Sequence, residues 1–169
     1  MNSAAYPLPQ LTKLAHYGFA TLFENPLTTQ RSLHTTVALT TGDVFATFDA
    51  LKILSSPTKY TVQVNEDIHI TLHPEFLQFV NHSCNPNIFF DTERMELRCL
   101  RSIDAGDEFT FFYPSTEWSM AEPFKCFCGS ENCLREIQGA SFLSQDSVAA
   151  NEFTTFIRFK LSGTRLQKV

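Results

Sequence analysis

Three cysteines crowd into eight residues, Cys126-Phe127-Cys128-Gly129-Ser130-Glu131-Asn132-Cys133. This Cys-x-Cys-x4-Cys spacing brings three thiolates within reach of one ion. Gly129 relieves the tight turn, and soft sulfur ligands favour zinc. A tetrahedral zinc needs a fourth ligand. Cys84 is the candidate, because it sits in an irregular loop that can fold toward the trio. Cys99, between Leu97 and Leu100 in a strand pattern, reads as a buried small hydrophobe. The loop around Cys84, Phe79-Val80-Asn81-His82-Ser83-Cys84-Asn85-Pro86-Asn87, holds short polar side chains that bond to nearby backbone or to a ligand, and a turn at Asn85-Pro86. The same residues allow a rival chemistry, with Cys84 as nucleophile and His82, two residues away along an extended chain, as its base. No third orienting residue or oxyanion loop is recognisable for it.

The elements that must position these residues are short and mostly extended. Residues 1–29 hold Pro7, Pro9 and Pro26 among scattered apolar residues without a clean period, which predicts irregular packed structure. Ser32–Leu39 and Val44–Phe48, separated by a turn at Thr40-Thr41-Gly42-Asp43, read as two strands. Tyr60–Val64 and Ile68–Leu72 around Asn65-Glu66-Asp67 give the clearest hairpin. Pro74 opens a short helix that leads into the Asn81–Asn87 loop. Ile88-Phe89-Phe90 and Met95–Leu100 flank a second hairpin, and Asp104-Ala105-Gly106-Asp107 turns again. Glu108-Phe109-Thr110-Phe111-Phe112-Tyr113 reads as one continuous, central, buried strand that Pro114 ends. After a connector and the cysteine cluster, Ser144–Lys160 fits a helix or a strand with no single period. The expected fold class is mainly β, with small twisted sheets and short helices.

Length and composition bound the rest. A chain of 169 residues, 43% hydrophobic and 18% charged, is the size of one globular domain, and 17 Phe make its core aromatic. No apolar run is long enough to cross a membrane, and Met1-Asn2-Ser3-Ala4-Ala5 lacks a signal-peptide pattern, so a soluble intracellular protein is expected. Five cysteines, an odd number, fit a reducing compartment better than a disulfide framework. A net charge of −5 argues against direct binding to nucleic acid and favours a basic peptide partner.

Taken together, three segments resemble the SET-domain protein lysine methyltransferases. Asn81-His82-Ser83-Cys84-Asn85-Pro86-Asn87 looks like that family's Asn-His-Ser-Cys-x-Pro-Asn motif. Gly106–Tyr113 looks like its Gly-Glu-Glu-Leu-Thr-aromatic-Asp-Tyr motif, and Cys126–Leu134 like its zinc-binding post-SET segment. The resemblance implies a pseudoknot, in which the strand ending at Tyr113 threads under the loop carrying Asn81 and His82. It implies an N-terminal segment 1–29, a SET domain 30–114, a post-SET segment 115–140 and a C-terminal extension 141–169. It implies S-adenosylmethionine as cofactor, with Arg31, Ser32, Leu33, Asn81, His82 and Phe127 as its contacts. Tyr113 then stands at the methyl-transfer site, and Phe111 at the position that sets how many methyls are added. Cys84, Cys126, Cys128 and Cys133 would hold one structural zinc. The substrate would be a basic lysine-containing protein or peptide, a histone among the candidates, with neither nucleic acid nor membrane as partner, and the enzyme a monomer. A eukaryotic source would place it in nucleus or cytoplasm, any other source in the cytoplasm. The chain departs from the family where Gln30-Arg31-Ser32 replaces a Gly-x-Gly turn, where Phe112 replaces Asp, and in lacking a cysteine-rich segment before the domain. If the turn demands positive φ, non-glycine residues there should weaken cofactor binding.

Overall fold

The N-terminal stretch is a hairpin rather than the irregular structure expected of it. β1 (Thr12–His16) pairs antiparallel with β2 (Ala20–Glu24), and β2 with β3 (Arg31–Thr35). Gly18, at φ 69°, makes the turn between the first two. β1 is exposed along most of its length, so no alternation marks it in the sequence. β3 stops at Thr35, short of the expected Leu39, where the Thr35 hydroxyl donates to the Val37 carbonyl (2.6 Å) and folds the chain back on itself. The computed structural model describes residues 10–166; Pro7, Pro9 and the Met1–Ala5 run lie outside the described residues.

Two further three-stranded sheets follow. β4 (Val44–Thr47) lies beside β10 (Glu96–Cys99), which pairs on its other side with β9 (Ile88–Asp91), the second expected hairpin. β5 (Asp49–Leu54) and β6 (Thr61–Asn65) flank β7 (Ile68–His73), so the clearest sequence hairpin is the β6–β7 pair. β5 escaped the sequence reading because, like β1, it is largely exposed. After β7, the expected short helix is a 3-10 helix, Glu75–Phe79, with Pro74 (φ −65°, ψ 141°) as its cap rather than its first residue. It buries Leu77 and ends at β8 (Asn81–His82).

The aromatic run expected as one strand is divided between partners. His34 and Glu108 form an isolated antiparallel bridge, Thr110–Phe111 (β11) pair parallel with β8, and Tyr113–Ser115 already turn as a 3-10 segment. A chain that leaves one neighbour for another within a few residues cannot keep a regular ladder. Its side chains are nonetheless central: Phe109 and Phe111 are buried, and Phe109 stacks on Phe45 at 4.8 Å with the rings 6° from parallel. Leu33, Phe48, Phe90 and Leu97 complete that core, each buried side chain contributing about 1.5–3 kcal/mol.

The C-terminal third is a second cluster. β12 (Phe124–Lys125) and β13 (Glu136–Ile137) pair antiparallel and bracket the cysteine segment. The ambiguous tail is two helices, α1 (Gln145–Ala150) and α2 (Thr155–Leu166), the first capped by the Ser144 hydroxyl accepting from Ser147 N–H (3.2 Å). Phe153 and Ile157 bury against Phe112 and Ala140. Phe112, which stands where the family motif has Asp, is therefore core here. No helix among the described residues is long and apolar enough to cross a membrane.

Candidate active site

The loop after β8 straddles β11. Ser83 N–H donates to the Phe111 carbonyl (3.0 Å) and Asn87 N–H to the Thr110 carbonyl (3.1 Å). Consecutive carbonyls of an extended chain point to opposite sides, so residues 83–87 grip the strand from both flanks. The Asn87 amide completes the hold. Its Nδ2 donates to the Glu108 carbonyl (2.8 Å) and its Oδ1 accepts from Thr110 N–H (2.8 Å), work that needs a side chain with both a donor and an acceptor. Asn81 Nδ2 donates to the Arg31 carbonyl (2.9 Å) and to Glu108 Oε1 (2.7 Å), tying β3 to the same point.

His82 joins two halves of the site. Its Nδ1 accepts from Tyr113 N–H (3.2 Å), so the ring hydrogen resides on Nε2, which faces Cys84 Sγ at 3.3 Å. Burial lowers its pKa to about 4, so the ring is neutral and carries that single hydrogen. This arrangement excludes the nucleophile–base pair: a nitrogen that already holds a hydrogen cannot take one from Cys84, and burial pushes the Cys84 thiol well above its ordinary range. Tyr113 donates its hydroxyl hydrogen to the Val80 carbonyl (3.1 Å). Burial first, then Glu108 and Tyr60, raise its pKa far above the phenol range, so it remains a neutral hydroxyl.

Val80, Asn81, His82 and Tyr113 line a cavity of about 1090 Å³. That is at the upper end of the roughly 300–1,000 Å³ usual for ligand sites, enough for a cofactor and an inserted side chain. Val62, Leu72, Val80 and Phe90 make apolar wall, and Phe111 packs between Phe90 (4.5 Å) and Tyr113 (4.6 Å). Arg31, Asn81, His82, Phe111, Tyr113 and Phe127 are all on the lining. Ser32 and Leu33 are not: Leu33 is fully buried in the core, and Ser32 Oγ meets His34 Nε2 at 3.0 Å. Neither Gln30 nor Ser32, which stand at the two glycine positions, has positive φ, so the missing glycines cause no strain there; the left-handed residue of this turn is Thr29, at φ 59°. The Arg31 side chain swings to Glu24 (3.1 Å) and over the Phe79 ring (5.1 Å).

Cys84, Cys126, Cys128 and Cys133 bring their sulfurs within 4.8 Å of one another, and Cys99 stays apart in the core. The Cys84 and Cys126 sulfurs are 3.9 Å apart, against about 3.8 Å between ligands of a tetrahedral ion with bonds near 2.3 Å. The donor set fits zinc. His82 Nε2–H and Leu134 N–H (3.4 Å) both point to Cys84 Sγ, as hydrogens do toward a metal-bound thiolate. Phe127, between two of these cysteines, is 86% exposed beside the cavity. Glu108, Glu117 and Tyr60 also line the cavity and were not singled out from the sequence. Tyr60 and Glu117 lie outside the three motifs, and only the fold brings them to it.

Residues 10–114 match the SET domain family. The chain is 36% identical over 137 residues to the methyltransferase flvH of Aspergillus flavus, covering 80% of this chain and 76% of that protein. It is 40% identical over 68 residues to a histone-lysine N-methyltransferase, H3 lysine-36 specific, of Chaetomium globosum, covering 37% of this chain and 8% of that one. The corresponding protein of Candida glabrata is 31% identical over 125 residues, with 63% and 17% covered. The chain thus spans most of the first relative and less than a fifth of the other two.

Proposed function

This chain belongs to the SET-domain family, and from that premise we propose that it is a protein lysine methyltransferase, moving a methyl group from S-adenosylmethionine to a lysine ε-amine. The observation that carries the reading is the meeting of His82 and Tyr113 (3.2 Å) on the wall of one large cavity, with the cysteine cluster at its rim. When bound, S-adenosylmethionine supplies a methyl group activated by its sulfonium. Cys84, Cys126, Cys128 and Cys133 would hold a zinc ion, which would supply a structural cross-link.

The chain's own residues do the rest. Arg31, Asn81, His82 and Phe127 hold the cofactor, Ser32 and Leu33 stand behind the wall, and the exposed Phe127 ring offers its face to the adenine. A lysine amine must lose its proton to attack, which from a free pKa of about 10.4 costs about 4 kcal/mol at neutral pH. The apolar wall of Val62, Leu72, Phe90 and Phe111 lowers that pKa by excluding water. With its hydrogen committed to Val80, the Tyr113 oxygen presents lone pairs that accept from the amine and aim it. A substrate rich in basic residues suits a chain of net charge −5, and a histone is one such substrate.

A lysine-peptide library incubated with a labelled methyl donor tests this. Label is expected on lysine, and Tyr113→Phe should lower the rate by about 100-fold, the usual scale for a lost positioning hydrogen bond. Wild-type protein that binds the cofactor only at millimolar levels and labels nothing would point instead to a silent interaction module.

A further inference from the structure

Four acids line the cavity, Glu24, Glu108, Glu117 and Glu122, and Glu117 alone among them is buried, at 7% exposure. It lies one turn beyond Tyr113, its N–H donating to the Tyr113 carbonyl (3.1 Å). Glu117 Oε1 accepts from Gln63 N–H (2.8 Å) and from the Thr116 hydroxyl (3.4 Å). Gln63 answers with its own Oε1, which accepts from Trp118 N–H (2.9 Å). β6 is an edge strand, so this clasp satisfies a main-chain donor the sheet leaves open.

The clasp explains one oxygen only. A glutamine would accept the same two hydrogen bonds without bringing a charge into the wall. Oε2 makes no hydrogen bond among the described residues, and no cation opposes the group: burial pushes its pKa up to about 7, against only the Gln63 and Thr116 donors. A buried carboxylate with no cation beside it is costly, and a cation arriving with the ligand would remove that cost. The reacting amine is not that partner. A carboxylate against it would hold its proton in place, and the charges that bear on the Tyr113 hydroxyl are those of Glu108 and Tyr60, not of Glu117.

We propose that Glu117 is the recognition point for a second positive charge on the substrate, a guanidinium or ammonium carried near the lysine that is methylated. This rests on the lysine-methylation reading and adds to it what the site selects. Cation and carboxylate form charge-assisted hydrogen bonds inside a wall that excludes water, where such a pair discriminates strongly.

The test uses lysine peptides identical except at one flanking position, which holds arginine, lysine or uncharged citrulline, scanned from two residues before the target to two after it. Wild-type kcat/KM should favour a cation over citrulline by about 10-fold or more at one position, and the arginine and lysine arms tell which cation fits. In Glu117→Gln, which keeps the clasp, that ratio should fall to within about twofold of one; Glu117→Asp, which keeps the charge on a shorter stem, should hold part of it. Cofactor titration and a cooperative melt of each variant verify the fold. Equal turnover of all flanking variants by wild type, or a preference that survives in Glu117→Gln, overturns the inference while leaving lysine methylation standing. No label on any lysine peptide overturns methylation itself, and this inference with it.

Discussion

At the scale of single residues, Phe111 and Glu117 make the sharpest predictions. Phe111 packs between Phe90 and Tyr113 with no polar atom of its own, and under the proposed function it would leave room for an amine that already bears a methyl. Phe111→Tyr adds a hydroxyl there, and mass spectra of the products should shift from di- and trimethyl-lysine toward monomethyl-lysine. Glu117 has its carboxyl raised from the ordinary range to about 7 by burial, so its folded form binds a proton more tightly than its unfolded form. The stability this leaves intact at low pH is lost as pH rises from the ordinary carboxylate range through about 7. Glu117→Gln should therefore match wild type near pH 4 and exceed it at pH 8 by about 3 kcal/mol in denaturant melts; parallel pH curves would contradict the burial argument. Cys84 was legible from sequence because thiolate chemistry requires four ligands and the trio supplies three. Glu117 was not, since a glutamate in a connector carries no sign of what will close over it.

At the scale of elements, Gly139 shows what holds the connector before the helices in place. Its φ is 122°, and a Cβ there would lie 2.6 Å from the Trp118 carbonyl oxygen and 2.8 Å from Ser119 Cα. Gly139→Ala should destabilise by about 3 kcal/mol, read from denaturant midpoints, because both contacts are main chain and neither can yield cheaply. The opposite outcome is expected in the turn before β3, where Thr29 sits at φ 59°. Thr29→Gly should stabilise by about 1 kcal/mol or leave stability unchanged, despite loosening the unfolded chain. Sequence patterning found β6, β7, β9 and β10, which are largely buried. It missed β1 and β5, whose residues mostly face water. It also overextended the run ending at Tyr113, because β propensity does not reveal a change of partner along the strand.

For the whole molecule, the cysteine cluster and the β8–β11 crossing act together through one imidazole, since His82 touches both Cys84 Sγ and Tyr113 N–H. With zinc bound, removal by a strong chelator should lower the melting temperature by about 10 °C and depress methyl transfer in step, a scale set by several kcal/mol of metal-linked folding. A melt unmoved by chelation, at a measured metal content of zero, would show the cluster to be four plain thiols. The crossing itself was legible only through a resemblance that joined two distant motifs, because no local pattern announces that one segment will run beneath another.

A strand straddled by Ser83 and Asn87 cannot be peeled sideways as an edge strand can. It leaves only lengthwise, or after the bridge above it lifts. Tugging on the C-terminus therefore loads the Asn87 amide and its neighbours in shear, several bonds at once, whereas the short β12–β13 pair can open bond by bond. Tyr113 should stay moored while the rim of the cavity unbuttons.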